Sequence, residues 1–161
     1  AGNAVDGSAI RIGTPGTQLS TFIAGVSGFV SGSGTTVFIN SQGQLGTSTS
    51  SRRYKDSIAD MHEASSALMK LRPVTFNYKS DQDPAGRELQ YGLIAEEVNE
   101  TYPGLVIHGL DGQIETVKYH FLPPMLLNEF QKQQRTLQTQ AARLEILERE
   151  LQEIKSLLGR K

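Results

Sequence analysis

The feature that most constrains this chain is an unbroken seven-residue repeat of apolar positions near its C-terminal end. Placing a at Phe130, Leu137, Leu144, Leu151 and Leu158 puts d at Leu126, Gln133, Gln140, Leu147 and Ile154. The steps alternate between three and four residues throughout, which is the spacing of a coiled-coil seam. With identical chains running side by side, the g and following e positions pair Arg143 with Glu148 and Glu150 with Lys155, opposite charges in both cases. A parallel homo-oligomer follows. Leu at a with Ile at d favours trimers or tetramers, and Gln133 and Gln140 in the seam fix register at a cost in stability; the expectation is a homotrimer. The competing reading is one long amphipathic helix packed on its own domain, but nearly five heptads exceed what about 70 residues of domain can cover.

Composition divides the rest. Residues 1–49 hold ten of the 16 glycines and only two charged side chains, Asp6 and Arg11. Short runs such as Thr35–Ile39 and Thr21–Ala24, separated by turn residues like Ser41-Gln42-Gly43-Gln44, read as strands. So few large apolar residues cannot bury a core alone, so this segment gains one by winding around identical copies; a flexible Gly/Ser linker is the other reading.

Residues 50–121 have globular composition. Asp60 to Glu63 has capping-box spacing, and Met61, Ala64, Leu68 and Leu71 fall on one face of a helix that Pro73 stops. Val74–Lys79 and Leu89–Ile94 read as strands around turn chemistry at Asp81–Gly86. Ala95–Thr101 reads as a short helix ended by Pro103, and Leu105–His108 and Ile114–Tyr119 flank the hairpin dipeptide Asp111-Gly112. The predicted fold class is therefore α+β: a β-rich extension over 1–49, a small mixed core over 50–121, and a coiled-coil helix over 122–161.

Charge and composition exclude several classes of function. A net charge of -1 argues against a nucleic-acid binder. No apolar run is long enough for a membrane span, and no signal segment opens the chain. The opening Ala-Gly-Asn-Ala, without an initiator Met, reads as part of a longer polypeptide. Zero cysteines remove thiol nucleophiles and disulfides. His62, His108 and His120 are scattered without ligand spacing, so neither a metal nor another cofactor is expected.

Hydroxyls are the remaining nucleophiles, and one boundary concentrates them: Thr47-Ser48-Thr49-Ser50-Ser51-Arg52-Arg53-Tyr54-Lys55-Asp56. A serine attacks only when a base takes its proton, and a lysine is that base only when its amine is neutral. Lysine ordinarily titrates near 10.4; Arg52 and Arg53, together with burial, push in the required direction. On spacing alone, a solvated basic linker is the better reading.

Three ordered motifs add a resemblance. Ser50-Ser51-Arg52-Arg53-Tyr54-Lys55, Leu71-Arg72-Pro73-Val74-Thr75-Phe76-Asn77-Tyr78 and Tyr91-Gly92-Leu93-Ile94-Ala95-Glu96-Glu97-Val98 together resemble the endosialidase-type intramolecular chaperone auto-processing domain, which caps phage tailspikes and tail fibres. The likeness runs over about 50–158, including the closing Val117-Lys118-Tyr119. It implies a self-cleaving serine peptidase acting once, with Ser50 as nucleophile and Lys55 as base, and a cut between Thr49 and Ser50. The family's Ser-Asp-x-Arg-x-Lys pattern is met at Ser50, Arg53 and Lys55, and Ser51 stands at the Asp position. Arg53, Glu96 and Glu97 are possible supporting residues; the plainer reading of both glutamates is a helix N-terminus.

The partners implied are two further copies of the chain and an N-terminal β-fibre client in the same polypeptide, with no nucleic acid and no membrane. The place implied is a virion tail fibre or tailspike, or alternatively a bacterial cell-surface or secreted fibre. The alternative function is a non-cleaving trimerisation cap that stays attached. A related self-cleaving domain occurs in a membrane-bound transcription regulator, but no basic DNA-reading or membrane segment is present here. Nor does a substrate pocket for a general hydrolase suggest itself.

Overall fold

The computed structural model describes residues 12, 13, 17, 21–24, 26, 32–79, 88–109 and 111–159. Its chain forms two compact units, Ala1–Asp56 and Ser57–Lys161.

In the first unit, strands β1 (Val37–Ile39) and β2 (Leu45–Thr47) form an antiparallel hairpin with Phe38 opposite Gly46. Asn40 organises its turn: the side-chain oxygen accepts from Gln42 N–H and Gln44 N–H, both at 3.0 Å, and Gly43 takes a φ of 77°. This is the turn expected at Ser41–Gln44. The strand expected over Thr21–Ala24 is absent; those residues are exposed and irregular. Among the described residues no strand pairs with them to satisfy their backbone groups, and an isolated strand has no stability of its own. Beyond β2, Arg52–Tyr54 coil into a single 3-10 turn.

The second unit is a small α+β body, as its alternation of short runs predicts. Strands β3 (Val74–Phe76) and β4 (Gln90–Gly92) pair antiparallel, as do β5 (Val106–His108) and β6 (Ile114–Val117). The Asp81–Gly86 turn lies outside the described residues. At Asp111-Gly112 the hairpin has a longer loop than a two-residue turn. Gly109 N–H bonds the Gln113 carbonyl at 2.8 Å, Gln113 N–H bonds the Asp111 carboxylate at 3.0 Å, and the register shifts at Ile107/His108. Helix α1 (Ala95–Thr101) has the predicted bounds. Its Val98 is 1% exposed and centres a core of Leu68, Leu105, Val106, Val117 and Met125.

Residues 62–70 correct the sequence reading. His62–Lys70 is a 3-10 helix, with no capping bond from Asp60 and with Ala64 exposed. His62 takes a φ of 43°, which breaks a regular helical entry. Three residues per turn then align Ser65 and Leu68, the two buried positions, with half-buried Leu71. The face is thus set by a step of three, and its most buried member is a serine.

Tyr119 closes β4. Its hydroxyl accepts a hydrogen bond from Leu93 N–H at 2.9 Å and lies where a side chain on Gly92 would sit: a Cβ there would be 2.7 Å from Tyr119 Oη and 3.2 Å from Phe76 Cε1. Gly92→Ala is expected to lower stability by about 1–3 kcal/mol through this overpacking, read by thermal unfolding; an unchanged melting temperature would show that Tyr119 moves freely.

Helix α2 (Leu122–Leu158) spans 37 residues, about 55 Å. Pro123 and Pro124 sit in its first turn, where a missing N–H costs nothing. Its contacts with its own domain involve Leu122, Met125, Asn128, Glu129 and Lys132, which are c, f and g positions. The a and d residues stay outside: Phe130 is 66% and Leu144 60% exposed, and Leu126, Leu137, Leu147, Leu151, Ile154 and Leu158 are exposed as well. The helix therefore carries two separate faces, and the reading in which its own domain covers the seam is set aside. No helix among the described residues is long and apolar enough to cross a membrane.

Candidate active site

The Ser50–Lys55 pair is formed within the first unit. Lys55 Nζ lies 3.0 Å from Ser50 Oγ, donating to it, with both side chains exposed. The turn between them makes this possible: Tyr54 N–H bonds the Ser51 carbonyl and Lys55 N–H the Arg52 carbonyl, both at 3.0 Å. Ser51 enters it with extended backbone, φ -63° and ψ 139°. Thr49 and Ser50 lie in irregular, exposed chain just after β2, so no ladder hydrogen bond ties down the bond between them. At 3.0 Å a proton can pass from the hydroxyl to the amine once the amine is neutral.

Arg53 points its guanidinium at the neighbouring ring, with Cζ 4.7 Å from the Tyr54 centroid. Tyr54 is the residue that the sequence reading passed over; an aromatic next to an arginine was the available signal.

Glu97 is engaged elsewhere. Arg72 grips its carboxylate with two donors, Nε at 3.1 Å and Nη2 closer still. The hydrogen bonds from Arg72 lower the Glu97 pKa, and those to Glu97 raise that of Arg72. The pair ties the Leu71-Arg72-Pro73 motif to the start of α1, so Glu97's partner lies in its own unit. Glu96 is exposed in the first turn of α1.

A second serine–lysine contact shows what proximity alone does not give. Lys132 Nζ donates to Ser66 Oγ at 2.6 Å, to Glu63 at 3.0 Å and to Glu129 at 3.1 Å. Ser65, fully buried, donates to Glu129 at 2.6 Å and receives Asn128 Nδ2 at 2.6 Å. Hydrogen bonding to Glu63, then to Glu129, raises the Lys132 pKa, so this amine is held charged and is no base. Among the described residues no carboxylate pairs with Lys55. The clasp instead joins the 3-10 helix to α2.

The clasp also sets a pH dependence. The Glu63 pKa is lowered, first by the Ser66 hydroxyl and then by Lys132; that of Glu129 is lowered, first by Ser65. Their stabilisation is present above the ordinary 4.5 and is lost as pH falls through the lowered values. That of Lys132 is present below 10.5 and is lost as pH rises through its raised value. Glu129→Gln is expected to flatten the acid limb of melting temperature against pH; an acid limb of unchanged steepness would place the sensitivity elsewhere.

Among the described residues no three His, Asp or Glu side chains are placed to hold a metal ion. A surface groove of about 680 Å³ runs between residues 59–62 and α2.

No curated protein matches the chain. Residues 50–107 match a peptidase family described as chaperone of endosialidase, a span that opens on Ser50, includes all three motifs and ends before β6 and α2. Over residues 50–107, then, the chain is similar to the chaperone-of-endosialidase family, the one that its motifs resemble.

Proposed function

We propose that the chain is an intramolecular chaperone that trimerises through α2, assists folding of a β-structured fibre or tailspike in the same polypeptide, and then frees itself by cutting between Thr49 and Ser50. The observation that carries the proposal is the 3.0 Å approach of Lys55 Nζ to Ser50 Oγ, at the residue where the family match begins.

Ser50 Oγ attacks the Thr49 carbonyl carbon and its proton passes to Lys55. The C–N bond breaks and Lys55 returns the proton to the Ser50 nitrogen, leaving an ester between Thr49 and the Ser50 oxygen. Water then opens the ester to a Thr49 carboxylate and a free hydroxyl. Attack by a neighbouring protomer's serine follows the same balance. The developing oxyanion needs N–H donors.

Lys55 is exposed in the single chain, and desolvation on assembly favours the neutral amine that the reaction needs. Folding of the trimer would thereby license release. A three-chain seam also brings the β clients into register, replacing a non-local search by a nearly intramolecular one. The setting that this role fits is a virion tail fibre or tailspike.

Intact-mass spectrometry of the assembled protein tests the reading in one spectrum. Masses for residues 1–49 and 50–161 are expected; a whole chain after assembly would leave a non-cleaving trimerisation cap.

A further inference from the structure

Five residues of extended chain would hold the Cα atoms of Ser50 and Lys55 about 16–18 Å apart, beyond the reach of their side chains. The Arg52–Tyr54 turn brings them together with two backbone hydrogen bonds. Such a turn is weakly stable: 3-10 geometry is poorer than α, a single turn gains nothing from propagation, and none of its residues is buried. One further contact is present within it, the guanidinium of Arg53 over the ring of Tyr54 at 4.7 Å.

We infer that Arg53 and Tyr54 form a positioning pair, whose stacking holds the turn that sets Lys55 against Ser50. The inference rests on the proposed role of Ser50 and Lys55 and gives Arg53 a task different from charge repulsion on the lysine. A repelling arginine needs only its charge. A stacking one needs a cation over an aromatic face, where a planar guanidinium covers more of the ring than an ammonium does.

The full chain is refolded from denaturant and sampled over time for the two fragments. Arg53→Ala and Tyr54→Leu are each expected to slow cutting about two- to fivefold, the scale of one exposed cation–π contact. The double variant is expected to be no slower than either single one, because both remove the same interaction. Tyr54→Phe keeps the ring and is expected to restore the rate. Arg53→Lys is expected to fall towards Arg53→Ala, with the pH of half-maximal cutting unmoved in all of them. Multiplying single effects, wild-type speed in Arg53→Ala or Tyr54→Leu, or a shifted pH profile in Arg53→Ala would overturn the positioning role.

A readout without cleavage separates this inference from the one beneath it. In the uncleavable Ser50→Ala chain, amide exchange at Tyr54 and Lys55 is followed by NMR. It is expected to quicken about two- to fivefold when Arg53→Ala or Tyr54→Leu is added. Faster exchange in a protein whose wild type is never cut would sink the dyad alone; unchanged exchange would sink the positioning pair even if wild type is cut.

Discussion

Ser50→Ala and Lys55→Ala are each expected to keep the chain whole, under conditions in which the unmodified protein separates into residues 1–49 and 50–161. Serine to alanine removes the only atom proposed to attack the Thr49 carbonyl, so no residual product is expected on the timescale of assembly. Losing the lysine removes a general base, which is worth on the order of 10²–10⁴-fold in rate. Lys55→Arg separates base from charge: arginine keeps the cation and some reach, but cannot lose its proton in a protein. It is expected to be as inactive as alanine. A Lys55→Arg chain that cuts at normal speed would mean that the cation at position 55 acts by charge, and the proton must then go elsewhere. Ser51→Ala serves as the companion test, because Ser51 is the neighbouring hydroxyl and replaces the family's aspartate. Retained cutting there would assign the chemistry to Ser50, the hydroxyl that Lys55 contacts.

Much of this site was legible in the sequence because the interactions are local. A five-residue step from serine to lysine is bridged by one turn. The Asp111-Gly112 hairpin, the α1 bounds and the extent of α2 follow equally from short-range signals: turn residues, a proline, and a seven-residue period. What the sequence concealed depends on contacts far apart in the chain. Asp60 to Glu63 reads as a capping box, yet Glu63 is drawn to Lys132 across 69 positions and Asn128 bonds the His62 carbonyl across 66. Those tertiary bonds favour a 3-10 helix with a buried serine over the amphipathic α-helix that the pattern suggests. The partner of Glu97 was hidden for the same reason, since Arg72 lies 25 residues earlier in another motif.

Leu144→Asp with Leu151→Asp is expected to turn a particle of three chains into single chains, as read by sedimentation, while the second unit stays folded. Both leucines occupy a positions that α2 leaves exposed, so in the proposed trimer the pair removes six buried leucines, each worth about 1.5–3 kcal/mol. It also sets like charges against one another in the seam. The core should survive because, among the described residues, the contacts α2 makes with it at Leu122, Met125, Asn128, Glu129 and Lys132 lie before the first substituted position; near-ultraviolet dichroism from Tyr102 and Tyr119 would register its loss. A two-chain or four-chain wild type would overturn the trimer while leaving a parallel seam intact. The same variant tests whether assembly gates the cut. Lys55 already reaches Ser50 within one chain, so geometry does not wait for partners; in the proposed trimer, partners would add exclusion of water from an exposed amine. Cutting in the single-chain variant is therefore expected to fall along with the trimer. Cutting at full speed without a trimer would show that the local turn is sufficient, and release would then report folding of one chain, with no dependence on the assembly of three.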